Sequence, residues 1–209
     1  MSAEHPVSLA VLAKAPIPGL AKTRLIPALG AVGAARLQRH FTLRALRTTV
    51  ASSLGPVTLW GAPTVSHRFF QALQRAAVPV ALRTQPEGDL GLRMLTALQV
   101  GCSHGPTLLI GTDCPALSPA HLQAAAQALQ DGADVVCQPA EDGGYVLIGL
   151  RQPQPVLFTD MPWSTADVMP QTRARAQAAG LRLDELPPLW DVDNPEDLPR
   201  WRTLDESET

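Results

Sequence analysis

The stretch PTLLIGTD, residues 106–113, is an apolar run that ends in a carboxylate. A continuous apolar strand such as TLLIG is typical of a sheet that is covered on both faces, because neither side of it suits contact with water. Pro115 then ends the strand. We therefore expect Asp113 at the carboxyl end of a central, buried strand. Open α/β sheets bind their ligands beyond such strand ends.

Strand-like and helix-like stretches alternate on either side of this run. The alternation predicts an α/β fold, namely a single-domain, Rossmann-like, mostly parallel sheet with helices on both faces. We expect strands at 7–13, 56–62, 78–84, 106–113, 133–140, 145–150 and 181–187, and helices at 33–53, 66–76, 90–102, 118–130, 164–179 and after Pro195.

The composition narrows the class of protein further. A length of 209 residues fits one domain over 1–209, with residues 203–209 expected to form a disordered tail. A net charge of −2 offers no basic field for nucleic acid, and no apolar run reaches the roughly 18 residues of a membrane span. The three cysteines lack disulfide or metal-ligand spacing and the chain start lacks a secretory signal, so we expect a cytoplasmic protein. The sequence leaves the oligomeric state open.

The segment KAPIPGLAKTRL, residues 14–25, places cations on a proline-rich loop directly after the first strand. Lys14, Lys22 and Arg24 can bind a polyanion, because an ammonium supplies a point charge and a guanidinium supplies a bidentate fork. Proline and glycine would fix the path of the loop and reduce the entropy lost on binding. The alternative is a solvated basic loop without a ligand.

A second loop, QPEGDLGLRM at residues 85–94, follows the third predicted strand. The Gln85 amide could read a base edge by its paired donor and acceptor, and Gly88 would let backbone N–H groups approach a ligand. Asp89 could contribute to the same nucleotide site. The alternative is an ordinary strand-to-helix turn that Asp89 caps.

Carboxylates follow three other predicted strands or turns. Asp113 could hold Mg²⁺, which takes few protein ligands and leaves the rest to phosphates and water. Asp191 and Asp193, in the stretch LWDVDNPEDL, could complete that metal site if the fold brings them to Asp113. Asp142, in AEDGGY, belongs either to a hairpin-type turn or to the rim of the same cleft.

Taken together, these motifs resemble the nucleotide-diphospho-sugar transferase superfamily, whose fold GT-A glycosyltransferases share with nucleotidyltransferases. The chain is most similar to a bacterial group that carries a glycosyltransferase label and the patterns KAPxPGxxKTRL, GDLGxRM, GTDCPxL, EDGGYxLIGL, PWST and DVDxPEDL; it has every element from Lys14 to Leu198. Its opening also resembles that of phospholactate guanylyltransferases. The superfamily's glycine-rich first loop is replaced here by KAPIPG.

The resemblance implies a role for each motif. It assigns the phosphates to Lys14, Lys22 and Arg24, the base to Gln85 and Gly88, and Mg²⁺ (or Mn²⁺) to Asp113 and Asp193. It also suggests an acceptor role for PWST, where Trp163 belongs either to the core or to the acceptor pocket.

Three functions remain open from the sequence. In nucleotidyl transfer, an acceptor phosphate attacks the α-phosphorus of an NTP, while Lys22 and Arg24 neutralise the developing charge. In glycosyl transfer from an NDP-sugar, a carboxylate such as Asp142 would act as the base. A nucleotide-binding protein without turnover is the third. The single Asp of TDCP, where GT-A enzymes have Asp-x-Asp, favours nucleotidyl transfer to a small-molecule acceptor.

Overall fold

The computed structural model describes residues 6–207, which form one seven-stranded sheet with helices on both faces. The strands are β1 (Ser8–Lys14), β2 (Val57–Ala62), β3 (Ala81–Thr84), β4 (Thr107–Ile110), β5 (Val135–Pro139), β6 (Tyr145–Leu150) and β7 (Leu183–Glu185). Their order in the sheet is β3-β2-β1-β4-β6-β5-β7. Only β6 runs antiparallel to its neighbours, β4 and β5, and the other pairs are parallel. The mostly parallel α/β sheet expected from the sequence is confirmed.

Six helices accompany the sheet within residues 6–207: α1 (Ile26–Ala51), α2 (Arg68–Arg75), α3 (Leu90–Cys102), α4 (Pro119–Gln130), α5 (Val168–Ala178) and α6 (Leu198–Ser207). Short 3₁₀ turns occur at Thr23–Leu25, Pro155–Leu157 and Pro195–Asp197. No helix in this part of the chain has both the length and the apolarity needed to cross a lipid bilayer.

The inner strands of the sheet bury both of their faces, as their apolar sequences predict, whereas the edge strands β3 and β7 are partly exposed. On β1, Leu9 and Val11 belong to one core cluster, which also contains residues of α1, α2 and α4. Ala10, which points to the other face, belongs to a second cluster with residues of α3 and α5. This alternation follows from the two-residue period of a strand.

Helix α1 begins seven residues earlier than the sequence indicated, at Ile26 rather than at residue 33. Pro27 is compatible with the first turn of a helix, where its missing N–H has no partner to lose. Gly30 then adopts a left-handed φ of 68°, which kinks the helix. The kink interrupts the apolar periodicity, so that the pattern in the sequence becomes regular only after it.

The expectation of a disordered tail is wrong for residues 203–207, because α6 continues through them. Trp201 is 6% exposed, and Leu204 packs against the same apolar cluster, so α6 has an anchored face. Residues 208–209 lie outside the described part of the chain.

A third apolar cluster joins α6 to α1 and positions the segment between β7 and α6. The rings of Phe41 in α1 and Trp201 in α6 meet edge to face, with centroids 4.9 Å apart. Leu25 and Val192 are fully buried in the same cluster. The segment that carries Asp191 and Asp193 therefore lies beside the loop that follows β1.

Candidate active site

One cleft of about 540 Å³ opens at the edge of the sheet where β1 and β4 end and β6 begins. Because β6 runs antiparallel to β4, the first residues of β6 lie at this edge, where the last residues of the parallel strands also lie. Nine of the eleven candidate site residues from the sequence line the cleft: Lys14, Lys22, Arg24, Gln85, Asp113, Asp142, Trp163, Asp191 and Asp193.

The loop after β1 is held in place by its own backbone. The Ile17 carbonyl accepts hydrogen bonds from the N–H groups of Leu20 and Ala21, at 3.0 Å each, and Ala15 N donates to Ala62 O at the end of β2. Ala15 and Ala21 are buried. These contacts agree with the fixed path expected from the prolines and the glycine, and Lys14 is exposed at the mouth of the cleft.

Lys22 is buried instead of projecting into solvent. Its side chain is 3% exposed, and its backbone adopts a left-handed φ of 48°. The ammonium lies 2.8 Å from Asp113 Oδ1 and 3.6 Å from Asp193 Oδ1, and it donates to the Val192 carbonyl at 2.5 Å. The Phe41 ring lies beneath it, with its centroid 5.2 Å from Nζ. A cation expected to bind phosphate thus also neutralises carboxylates of its own chain.

Asp113 is oriented by a short hydrogen-bonded chain from α1. Gln38 Nε2 donates to Thr112 Oγ1 at 3.1 Å, and that hydroxyl donates to Asp113 Oδ1 at 3.1 Å. The Asp113 carbonyl accepts from Val192 N at 2.9 Å, which ties the end of β4 to the C-terminal segment. The fold therefore brings Asp113 and Asp193 together, as the metal-site hypothesis requires.

The carboxylates in the cleft repel one another. Burial, followed by the charges of Asp142, Asp193 and Asp113, raises the pKa of Asp191 to about 7. Burial and then Asp113 also raise the pKa of Asp193, although two cations partly offset the effect. One of these cations is Arg24, whose Nη1 lies 3.4 Å from Asp193 Oδ2. A further positive charge would be favoured here.

The carboxylates of the cleft fit a divalent cation that is bound partly by the protein and partly by the ligand. Among the described residues, no group of three His, Cys, Asp or Glu side chains is arranged to hold a metal alone. Asp113 and Asp193 nevertheless both approach one ammonium. Mg²⁺ is commonly bound through one or two carboxylates, with phosphates and water completing its shell. Asp113 and Asp193 are the residues that would hold it.

Gln85 lines the cleft but uses its amide nitrogen within the protein. Nε2 donates to Trp60 O at 2.8 Å and to Ala13 O at 3.3 Å, which ties together the ends of β1 and β2. In this conformation, Oε1 is the atom left to accept from a ligand. The sequence predicted that the Gln85 amide would contact a base through both a donor and an acceptor. In this structure only the acceptor, Oε1, is available to a ligand.

Gly88 and Asp89 lie in the turn before α3, outside the residues that line the cleft. Asp89 Oδ1 accepts from Leu92 N at 2.8 Å and caps α3. Gly88 has a φ of 119°, and a Cβ there would lie 2.7 Å from Leu92 Cδ2. These contacts agree with the capping alternative that the sequence left open.

Asp142 is exposed at the rim, where its Oδ1 accepts from Gly144 N at 2.9 Å. Its neighbour Glu141 pairs with Arg200 at 2.9 Å and does not line the cleft. Of these two neighbouring carboxylates, only Asp142 has access to a ligand bound in the cleft.

Three residues with buried hydrogen-bond donors complete the wall of the cleft, and only Trp163 was considered from the sequence, as part of the core or of the acceptor pocket. The donors are Arg93 Nε in α3, the Tyr145 hydroxyl at the start of β6 and Trp163 Nε1 in the segment before α5. Arg93 and Tyr145 were missed because they lie within the apolar patterns of a helix and a strand. A sequence signal was available, because both residues lie in motifs of the family pattern, GDLGxRM and EDGGYxLIGL.

Two glycines allow the segment around Trp163 to lie close to α3 and to the turn before β6. A Cβ on Gly91 would lie 2.5 Å from Phe158 O and 2.9 Å from Trp163 Nε1. A Cβ on Gly143 would lie 2.6 Å from Ala166 O. Trp163 also contacts Tyr145, with ring centroids 6.4 Å apart, so it belongs both to the core and to the cleft wall.

Comparison with known families places this chain among bacterial proteins. The model of a family described as "Uncharacterized protein conserved in bacteria (DUF2064)" matches residues 45–165. No curated protein matches the chain.

Solved structures share the architecture. A protein from Desulfovibrio desulfuricans G20, to which nucleotide-diphospho-sugar transferase activity has been ascribed, is 31% identical with a TM-score of 0.81; the match covers 90% of this chain and 83% of that one. A nucleotidyl transferase from Methanothermobacter thermautotrophicus is 17% identical with a TM-score of 0.61, covering 97% and 99%. CMP:2-keto-3-deoxy-manno-octonic acid synthetase, solved with CTP, is 13% identical with a TM-score of 0.60, covering 97% and 100%. The two more distant structures establish similarity of fold alone.

Proposed function

Because this chain belongs to the DUF2064 family and has the fold of the nucleotide-diphospho-sugar transferases, we propose that it is a nucleotidyltransferase. It would join an NTP to a small phosphorylated acceptor. An acceptor phosphate oxygen forms a bond to the α-phosphorus, and the bond from that phosphorus to the departing pyrophosphate oxygen breaks. One observation carries the proposal: Asp113 and Asp193 converge on a single cation position in a cleft that also presents basic side chains.

The basic side chains fit the charge of a triphosphate. Lys14 is exposed at the mouth of the cleft, and the Arg24 side chain is 60% exposed, so both can reach phosphate oxygens. Lys22 is buried between the aspartates and is the cation nearest to the position of a bound metal. Such fixed charges favour a transition state in which negative charge spreads over the transferred phosphoryl group.

Asp113 and Asp193 would bind Mg²⁺ or Mn²⁺ together with the nucleotide. A divalent cation at this position supplies electrostatic stabilisation of phosphate oxygens. The repulsion among Asp113, Asp191 and Asp193 supports this role, because a cation shared with the ligand would relieve it.

Glycosyl transfer from an NDP-sugar is the second candidate, and two observations favour it. The Desulfovibrio relative is described as a nucleotide-diphospho-sugar transferase, and Asp142 lies on the cleft wall where a base for an acceptor hydroxyl is needed. A phosphate acceptor is already an anion and needs no such base. Replacement of Asp142 therefore distinguishes the two reactions.

The test is a thermal-unfolding panel of NTPs and of UDP- and GDP-sugars, each with Mg²⁺ or Mn²⁺. A ligand at about 100 times its dissociation constant adds about 2.7 kcal/mol to stability, which a melting curve resolves. We expect one NTP to stabilise the wild type with metal, and Asp113→Asn to lose that effect. Asp131→Asn, at an exposed position near the end of α4, is the matched control and should keep it.

Turnover then separates the candidates. Release of pyrophosphate that survives Asp142→Asn supports nucleotidyl transfer. Stabilisation by an NDP-sugar alone, with turnover that requires Asp142, would replace the proposal with glycosyl transfer. Stabilisation without any turnover would indicate a binding protein, and the absence of stabilisation by every nucleotide would refute a nucleotide site.

A further inference from the structure

Three donor groups in one wall of the cleft are buried without an acceptor. Four buried side-chain polar atoms lack a hydrogen-bond partner among the described residues, and three of them belong to cleft residues: Arg93 Nε, Tyr145 Oη and Trp163 Nε1. Leaving a buried donor unpaired is destabilising, so native proteins rarely tolerate one. All three donors belong to residues that line one cleft, where a bound ligand would supply the missing acceptors.

The three groups come from separate elements that are packed against one another. Tyr145 begins β6, and its ring meets that of Trp163 edge to face at 6.4 Å. The backbone of α3 passes directly beside Trp163 at Gly91, two residues before Arg93. We call Arg93, Tyr145 and Trp163 the donor pocket. Arg93 and Tyr145 lie on regular elements, whereas Trp163 lies in the turn before α5 and is held by its packing against Tyr145 and Phe158.

The chemistry of the donor pocket selects its ligand. Guanidinium and indole N–H groups can only donate hydrogen bonds, and a guanidinium matches the planar geometry of a carboxylate or phosphate. Burial raises the pKa of the Tyr145 hydroxyl well above its usual value, so this group also remains a donor. Arg93 forms no ion pair within the described residues, in contrast to Lys22 and Arg24. A nucleobase, which presents donors as well as acceptors, fits this set less well than an oxyanion.

We propose that the donor pocket binds an oxyanion of the acceptor substrate, a phosphate or a carboxylate group. The inference rests on the proposed function, because it assigns this wall to the acceptor and the carboxylate wall to the metal-bound nucleotide. It also defines the acceptor as a small anion. Lys14 and Arg24 lie elsewhere in the cleft and are assigned to the nucleotide phosphates, so the donor pocket provides a separate position for the anion of the acceptor.

The indole N–H of Trp163 provides a local probe of this binding. The chain has four tryptophans, so tryptophan labelled with ¹⁵N on the indole nitrogen gives few signals, and Trp163→Phe identifies the relevant one. Inorganic phosphate and, separately, acetate are titrated into the metal-free protein. We expect a saturable shift of the Trp163 signal with at least one of the two anions. The anion that produces it distinguishes a phosphate acceptor from a carboxylate acceptor.

Variants test whether the donor pocket is responsible. Arg93→Met should weaken the binding of the anion that shifts the Trp163 signal by about tenfold or more, the equivalent of 1.4 kcal/mol or more. Tyr145→Phe removes only an unpaired hydroxyl, so the apoprotein should melt at the same or a higher temperature while the anion binds more weakly. Arg47→Met removes an exposed guanidinium of α1 that lies outside the cleft, and it should leave the Trp163 titration unchanged. If Arg93→Met fails to fold, Arg93→Lys keeps the charge and removes the fork, and it should still weaken binding.

Each outcome separates this inference from the proposed function. A Trp163 shift that is absent with both anions, or that is equal in the wild type and the Arg93 variants, overturns the donor-pocket assignment even if a nucleotide binds with metal. A Trp163 shift that depends on Arg93 supports the donor pocket as an anion site. If no nucleotide stabilises the protein, the proposed function fails while that anion site stands, and its assignment to an acceptor is withdrawn.

Discussion

At the scale of single residues, Lys22 has the most constrained side chain among the candidate site residues. It is buried on the Phe41 ring and contacts two aspartates that come from distant parts of the chain. Because Asp113 and Asp193 are 44% and 35% exposed, water screens part of this attraction. The interaction is therefore weaker than that of a fully buried triad, but it still holds the cleft together.

Lys22→Met should lower the free energy of unfolding by about 2 kcal/mol, because the aspartates lose their shared cation while the packing of the stem is largely kept. Arg24→Met, whose guanidinium is 60% exposed, should change it by less than about 0.5 kcal/mol. Urea denaturation measures both. In a double-mutant cycle with Asp113→Asn, the two losses should not add. Full additivity would contradict the coupling between Lys22 and Asp113.

Gly91 has no room for a side chain, since a Cβ would meet the Phe158 carbonyl and the Trp163 indole. Gly91→Ala should destabilise the protein by about 1–3 kcal/mol through overpacking and should shift the emission of Trp163. Gly111→Ala, where nothing lies within 4 Å of the added carbon, is the matched control and should be close to neutral. Thermal melts and tryptophan fluorescence report the two effects. Equal effects of the two substitutions would argue against the close approach.

At the scale of secondary-structure elements, Asp134, directly before β5, connects the three strands β6, β5 and β7 at one end of the strand order. Its carboxylate accepts from Arg182 N just before β7, at 3.0 Å, and from Arg151 Nη2 just after β6, at 2.6 Å. The bond from the Arg182 backbone, followed by that from Arg151, lowers the pKa of Asp134 below its ordinary value. One side chain thus holds β5, β6 and β7 in register at one edge.

Asp134→Asn should cost about 1 kcal/mol of stability at pH 7, because a charged acceptor becomes a neutral one. The folded pKa is depressed, so the contribution of Asp134 is present above the unfolded value of about 3.9 and is lost as the pH falls through the folded pKa. The difference between wild type and variant should therefore shrink below about pH 4. Denaturation curves at several pH values check this, and a difference that does not change with pH would exclude the ionised group as its cause.

At the scale of the whole molecule, α6 holds the C-terminal side of the cleft against α1. Trp201→Ala would remove the ring that contacts Phe41 and should destabilise the protein by about 3–5 kcal/mol. It should also weaken nucleotide binding, because the segment carrying Asp193 loses its support. Leu73→Ala, in the core of α2 and away from the cleft, is the control: it should destabilise the protein while leaving the affinity for nucleotide unchanged. Equal losses of affinity would show that the effect is not local to α6.

The sequence predicted the sheet, the helix order and most of the cleft wall, because apolar periodicity and strand-end loops are local signals. The meeting of Asp113 with Asp193 was expected from the family resemblance, and the structure confirms that both approach Lys22. The burial of Lys22 could not be predicted, since it depends on a left-handed backbone and on a segment 170 residues away. Arg93 and Tyr145 were missed for a similar reason, because their significance lies in the absence of partners in three dimensions.

The same sequence separation of 170 residues has a consequence for synthesis on the ribosome. At about 5–20 residues per second, Val192 and Asp193 emerge roughly 10–30 s after Lys22. During that interval the nascent chain can pair β1 with β2 and β4, but neither the second carboxylate nor the Val192 carbonyl yet exists for Lys22 to contact. A polypeptide released before the last of these segments is translated therefore carries most of the sheet without a finished cleft. At the proposed site, nucleotide would therefore stabilise only a chain whose C-terminal segment has already been translated.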